Sequence, residues 1–491
     1  MKWVGWIKCI IFLLPIGGLT ACGESVSHPQ MVNEWPEIYP DYIGVTIPAG
    51  IAPMNFDVIG EGVYERVDVQ VEGSNGSMHV NGKDISFPLG KWHELLDEHK
   101  GDSLVFTVSV KEDGGWKQYR PFAMYVSEHP IDYGVVYRRI APGYEVYSQM
   151  GIYERNLSNF EEHGLLVNTL VPGMCVNCHA FNRTDPTEMS LHIRGKHGAT
   201  LMQYDGEREL LDTKTEQTIS NCVYPYWHPS GEYIAYSTNK TGQSFHAKKE
   251  KLIEVFDSAS DVLVYHPKTH QLTSSELLQG SGSFETFPAF SSDGKKLYFC
   301  TSQAQKMPED YEKVRYHLCS IDFSVEDGSF GNRIDTLVNA DKTGKSILFP
   351  RPSYDGKYLM YTACDYGTFS IWHKEADLWL MDLDKGCSRP ISEVNSEDVE
   401  SFHNWSSNSR WFLFSSRRED GRYTRIYLAS IDEEGNIGKP FLLPQEHPSE
   451  YYGESLYSFN VPDFVSEPVR LNPKELEAEI VSDHRKSVKY E

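Results

Sequence analysis

The sequence predicts a mainly β fold that ends in a β-propeller of about six blades, and three observations predict it. Four segments, YPYWHPSGEYIAYSTN (224–239), FPAFSSDGKKLYFCTS (287–302), FPRPSYDGKYLMYTAC (349–364) and FHNWSSNSRWFLFSSR (402–417), share one grammar. An aromatic or proline pair leads into a polar turn centred on a Ser/Asp-Gly-like dipeptide, and an alternating apolar strand follows. The corresponding positions Trp227, Phe290, Pro352 and Trp405 lie 63, 62 and 53 residues apart. Such a repeat outweighs local propensity, and residues 205–465 divided by ~40–45 residues per blade give about six blades. Finally, the chain ahead of the repeat alternates polar and apolar residues with period two, as half-buried strands do.

The N-terminus reads as an export signal. Lys2 and Lys8 precede an apolar run from Cys9 to Ala21, 13 residues long, well short of the ~20 that span a bilayer. Leu19-Thr20-Ala21-Cys22 resembles the lipobox of bacterial lipoproteins, which would make Cys22 the lipidated first residue of the mature chain. The expected location is therefore the cell envelope of a Gram-negative bacterium, with a lipid anchor to a membrane. The rival is an ordinary signal peptidase site nearby. The 491-residue chain carries a formal charge of −24, which excludes nucleic acid as a natural partner because phosphate backbones are repelled.

Residues 22–130 read as a small β-sandwich. VDVQVEG, SLVFTVSVKE and WKQYRPFAMYVSE alternate, and Asp113-Gly114-Gly115 supplies a hairpin turn between the last two. From 131 to 204 the alternation stops, and short helices and loops are expected, among them a helix opened by Asp185-Pro186 in TDPTEMSLHIRGKHG. SLYSFNVPDF is expected to close the propeller ring. Residues 466–491 read as a C-terminal helix and tail.

Nine cysteines are present. Cys222, Cys300, Cys319, Cys364 and Cys387 show no tight spacing, so no disulfide scaffold is implied; Cys300 and Cys319 could face each other on adjacent strands, with buried free thiols as the rival. The chemistry sits in MCVNCHAF (174–181), where Cys175, Cys178 and His179 form the C-x-x-C-H signature of haem c attachment. Thiols at Cys175 and Cys178 would bond the two vinyl groups of a porphyrin, and the adjacent His179 would become the proximal iron ligand. Attachment takes place outside the cytoplasm, in agreement with the export signal. His192 is the preferred sixth ligand, because Arg194 beside it could meet a propionate; Met189 is the alternative, and His197 and Met202 are within reach by separation alone. Tyr137, Arg138, Arg139, Tyr144, Tyr147, Tyr153 and Arg155 either cover the haem or form an interdomain wall. The spacing Cys175-x2-Cys178-x13-His192-x4-His197 also admits Zn2+, although it leaves His179 without a role. A redox dithiol is a third reading, without a thioredoxin-like pattern around it.

The four repeats resemble the WD40-like, TolB-type propeller repeat, P-x-W-S-P-D-G-K followed by a strand. Copies two and three match well, and Asn408-Ser409 replaces Asp-Gly in the fourth. With the lipobox and C-x-x-C-H, the whole arrangement resembles Bacteroidetes-type TolB-like propeller lipoproteins that carry a c-type cytochrome motif. A haem c segment leading into a propeller is also similar to haem-cd nitrite reductases, but this propeller is shorter and shows no second cofactor motif. The resemblance implies an anchored haem c protein for electron transfer or redox sensing, with the propeller as docking platform for a protein partner. The alternative is a non-redox propeller that binds a protein or glycan. A propeller-coupled hydrolase is excluded: too few residues follow the last blade, and Gly453-Glu454-Ser455-Leu456-Tyr457 lacks the second glycine of a nucleophile elbow. No catalytic residue is assigned, and a stand-alone enzyme is not expected.

Overall fold

Asp113 and Gly114 both take positive φ, 49° and 76°, the two left-handed conformations that a two-residue hairpin turn needs. They join strand Ser103–Glu112 to Gly115–Gln118 with Glu112 opposite Gly115. This hairpin belongs to one connected seven-stranded sheet that forks at Ser103–Glu112. One half of that strand pairs with Gly115–Gln118, the other with Phe122–Ser127, and Arg66–Glu72 lies along its opposite edge. The computed structural model describes residues 25–60, 64–141, 149–246 and 252–491. The export signal, Cys22, Tyr144 and Tyr147 lie outside the described residues.

The strands expected for the N-terminal domain are present, but they belong to one connected, forked sheet where two packed sheets are expected, and a helix that alternation did not announce, Leu89–Glu98, covers their apolar face. Trp92 carries the contact. It is fully buried, stacks on Phe87 at 5.3 Å between ring centroids and donates its indole N–H to the Ile51 carbonyl at 3.0 Å. The domain shares an apolar core with Trp411, Leu413 and Leu428 of the last blade, so it docks on the propeller through side chains of both.

Six four-stranded antiparallel sheets make the propeller. Blade 1 pairs Gly134–Ile140, Gly151–Asn156 and Glu162–Val167 with the C-terminal strand Ser458–Val465, which closes the ring as expected of SLYSFNVPDF. Blades 2 to 6 begin with the innermost strands Cys175–Asn182, Cys222–Trp227, Ser283–Phe290, Ser346–Pro352 and Glu400–Trp405. These five and Ser458–Val465 touch one another in sequence around a closed circle. The tail seals the circle again. Helix Pro473–Val481 buries Leu476 and Ile480, and the segments Lys486–Ser487 and Lys489–Tyr490 add parallel to the outer strands of blades 2 and 3.

The turn grammar of the repeats is physical. In blades 3 to 6, His228, Ser291, Ser353 and Ser406 each donate their backbone N–H five residues on, to Tyr233, Lys296, Tyr358 and Trp411. The next positive-φ position is Gly231, Gly294, Gly356 or Ser409. Ser409 at φ 57° shows that the degenerate fourth copy keeps the conformation without the glycine.

Residues 131–204 differ from expectation. They form strands of blades 1 and 2 where short helices and loops are predicted, and TDPTEMSLHIRGKHG is the strand Asp185–Arg194. The strand is held on both edges, by Cys175–Asn182 and Ala199–Tyr204, and these ladders override the helix-start signal of Asp185-Pro186. Alternation fails here for two reasons. A propeller strand is flanked by blades on both faces, so both sides turn apolar, and each innermost strand carries one extra residue.

Candidate functional site

That extra residue builds the axis. In every blade the innermost strand bulges at a non-glycine residue of positive φ: Cys178, Tyr224, Phe287, Phe349, Phe402 and Val461, all between 48° and 53°. The ladder register slips by one residue at each of them. Four of the six are aromatic and pack ring against ring, with centroids 4.7 Å apart for Tyr224–Phe287, 4.1 Å for Phe287–Phe349 and 5.1 Å for Phe349–Phe402. Cys178 and Val461, in adjacent blades, are small. A cavity of about 440 Å³ runs along the axis, and both of these residues are part of its wall.

The position after the bulge is equally regular. It is proline in four blades (Pro225, Pro288, Pro350, Pro462) and histidine in two, His179 and His403. Both histidines are buried and line the cavity, and no ring nitrogen of either makes a hydrogen bond of ordinary geometry, although backbone groups of Val136 (for His179) and of Met360 and Phe349 (for His403) lie close. Burial pushes the His179 imidazole down to about 4; a hydrogen-bonding contact with the Val136 backbone offsets it in part, and Arg138 adds to the lowering. Burial and Arg351 push His403 down to about 3. Both rings are neutral at physiological pH, the form that can ligate a metal.

Cys175 and Cys178 are free thiols, each partly accessible. They sit on a strand rather than on the helical turn that the spacing suggests, and the bulge turns Cys178 into the cavity while Cys175 packs on the apolar cluster between blades 1 and 2. The four expected candidates for the sixth ligand are not brought to the cavity. His192 pairs with Asn177, whereas His179 pairs with Leu191, so strand alternation puts the two rings on opposite faces of the sheet. Leu191, Ile193 and Met189 pack toward blade 1, and Ser190 reaches Tyr236 of blade 3 at 2.7 Å, which fixes the two faces. Met189 shares the His179 face and is closed into the apolar core. Met202 is buried between blades 2 and 3, and His197 bonds to Asp483 at 2.7 Å. Among the described residues, no three histidine, cysteine, aspartate or glutamate side chains are grouped as a metal site requires. The set Cys175, Cys178, His192 and His197 is therefore not assembled.

Of the described residues of the tyrosine and arginine cluster, Arg138 alone lines the cavity. Tyr137 donates to Glu162, Arg139 pairs with the same carboxylate at 2.5 Å, and Arg155 donates to the carbonyls of Asn156, Asn159 and Pro444. These residues make a polar wall between blade 1 and the segment around Tyr451. Cys300 and Cys319 do not face each other: the register sets Cys319 opposite Phe299 and Cys300 opposite Leu318.

The cavity is basic and aromatic. Arg138, Arg183, Arg194, Arg351 and Arg417 line it, with Asp463 as the one carboxylate of the lining. Burial raises the Asp463 carboxyl to about 8, against a lowering pull from Arg351 and an N–H from the Phe181 backbone. Sequence reasoning missed Arg351, Asp463, His403 and the aromatic bulges, because six strands spread over the chain supply them. The usable signal was the dipeptide series Cys178-His179, Tyr224-Pro225, Phe287-Pro288, Phe349-Pro350, Phe402-His403 and Val461-Pro462.

No protein-family profile and no curated protein sequence matches the chain. Solved structures similar to it include a puromycin-hydrolysing peptidase of Mycobacterium tuberculosis (11% identity, TM-score 0.35), of which the chain spans about half the length, 52%, with 70% of its own. The β-propeller domain of Cps50 (Swd1) from Myceliophteria thermophila is similar at 12% identity and TM-score 0.36, covering 70% of this chain and 93% of that one. A DUF4784 family protein from Bacteroides caccae is similar at 7% identity and TM-score 0.31, covering 72% and 95%.

Proposed function

We propose that this chain is an envelope protein, anchored through Cys22, whose propeller carries a haem c bonded to Cys175 and Cys178 with His179 as proximal ligand. It would serve in electron transfer or redox sensing. The observation that carries the reading is the pairing of a free, cavity-facing thiol at Cys178 with a neutral imidazole at His179 whose two nitrogens make no hydrogen bond of ordinary geometry; Cys175 does not line the cavity and enters the reading through its spacing alone. A buried polar group without a partner is unfavourable, and an iron would satisfy it. Arg194 and Arg138 add positive charge on the same wall, suited to propionates. When bound, haem supplies a one-electron couple; the propeller supplies burial, a fixed imidazole and a face for a protein partner. Because His192 lies on the opposite face of the sheet, the assigned iron ligand is His179 alone.

The test is a pyridine haemochrome spectrum of protein matured with haem-attachment machinery. A spectrum of covalent haem is expected, and it should disappear in Cys175→Ser/Cys178→Ser. A folded but colourless wild-type protein would overturn the reading, and metal analysis of the same sample would reveal zinc.

A second reading is favoured by one observation: His403 repeats the orphaned imidazole in blade 6 without cysteines. On that reading the histidine is a structural occupant of the slot after the bulge, and the propeller is a non-redox module that binds a protein or glycan. Partner binding that is unchanged in the colourless cysteine variant would favour it.

A further inference from the structure

We propose that the part of the axial cavity around Arg351 is a binding site for a carboxylate group. Two residues past each bulge the innermost strands place Asp463, Ala180, Tyr226, Ala289, Arg351 and Asn404 around the axis. This layer contains one permanent cation, Arg351, and five of its six members line the cavity. Its partners among the described residues are few: Arg351 donates to the Pro350 carbonyl at 3.0 Å and sits over the Tyr226 ring at 5.2 Å. Among the described residues no carboxylate forms an ion pair with it, although Asp463 is near enough to act on its charge. Asp463, the acid of the layer, is occupied instead by the Asn404 amide.

A buried guanidinium without a directly paired carboxylate is unfavourable, and a carboxylate is the group that meets its planar fork with two parallel hydrogen bonds. Burial lowers the affinity of Arg351 for its proton, and Tyr226 and Asp463 nearby offset this only in part. Tyr226, Tyr354, Phe290 and Pro352 wall this end, so the acid fits best on a flat or ring-shaped body. Arg183, over the Tyr354 ring at 5.6 Å, adds positive charge at the exposed rim and favours entry of an anion. Two sources share this chemistry, a free organic acid and a propionate of a haem held at Cys175 and Cys178. The site does not depend on the haem reading.

Benzoate and its uncharged analogue benzamide are suitable probes, titrated calorimetrically into full-length haem-free protein. Benzoate is expected to bind at least tenfold more tightly than benzamide. Arg351→Gln should lower benzoate affinity at least tenfold and leave benzamide unchanged, and Arg351→Lys should lose less. Should Arg351→Gln fail to fold, the Lys variant and the benzamide comparison carry the test. Haem-loaded protein separates the sources: benzoate excluded by loaded haem identifies the propionate, and equal binding with and without haem identifies a free acid. Absence of benzoate binding to the haem-free wild type, or equal affinity in a folded Arg351→Gln variant, overturns the proposal.

Discussion

Blade 2 and its five neighbours use one backbone device for different ends. Each bulges at a residue of positive φ, a conformation that costs a non-glycine residue roughly 1–2 kcal/mol. In blades 3 to 6 an aromatic ring offsets this by filling the axis. In blade 2 the occupant is Cys178, which fills little and leaves its thiol on the cavity wall. The same strained position is packing in one blade and chemistry in the other. The comparison breaks most visibly in the plug. Phe349→Ala should destabilise the protein by about 3–5 kcal/mol, whereas Cys178→Ala should change stability by about 1 kcal/mol. Urea unfolding followed by tryptophan fluorescence measures both, and equal losses would show an axis packed alike on all sides.

The layer two residues past the bulges sharpens the contrast between blades 1 and 6, where Asp463 and Asn404 hold equivalent positions and share a hydrogen bond. Burial raises the Asp463 carboxyl to about 8; Asp132 pushes the same way, Arg351 and the Phe181 amide oppose. Its folded value lies above the ~4 of an unfolded aspartate, so the folded state binds the proton more tightly. The contribution of this carboxyl to stability is then fully present below about pH 4 and is lost as pH rises towards and through about 8, where the folded carboxyl ionises. Asp463→Asn removes that slope. The variant should match the wild type near pH 4 and exceed it by on the order of 2–4 kcal/mol near pH 8, read from melting temperatures across that range. Parallel pH profiles would show that Asp463 is already ionised in the folded protein.

What could be read from the chain follows the range of the physics. Turn chemistry is local, and so the Asp113-Gly114 hairpin and the turns at Gly231, Gly294 and Gly356 are legible. Asn408-Ser409 is legible by analogy, since Ser409 accepts the same φ. Blade 2 escaped the repeat because its hairpin turns at Arg183, directly between Asn182 and Asp185, without the longer polar turn of the other copies. Its C-x-x-C-H spacing also fits a helix on paper, and only the ladders with Asp185–Arg194 decide for a strand. The axial site is illegible for another reason. Arg351, Asn404 and Asp463 are neighbours because the ring closes through Ser458–Val465, a pairing with residues more than 300 positions earlier in the chain.

The finest test of the comparison is His179→Pro, which gives blade 2 the residue that four other blades carry after the bulge. Tyr224, Phe287, Phe349 and Val461 all hold positive φ directly before a proline, so the backbone tolerates the substitution at this point of the fold. Proline also removes an imidazole whose buried nitrogens make no hydrogen bond of ordinary geometry, a relief that offsets the lost packing against Phe181. The expected change in stability of haem-free protein is within about 1 kcal/mol, measured by urea unfolding. His403→Pro, in the blade without cysteines, should behave alike. The two variants separate once haem is supplied: on the proposed function only His179→Pro alters the haem spectrum, because it alone removes an iron ligand. If His179→Pro proves far more destabilising than His403→Pro in haem-free protein, the two slots are not equivalent, and His179 has a structural task that the bulge alone does not explain.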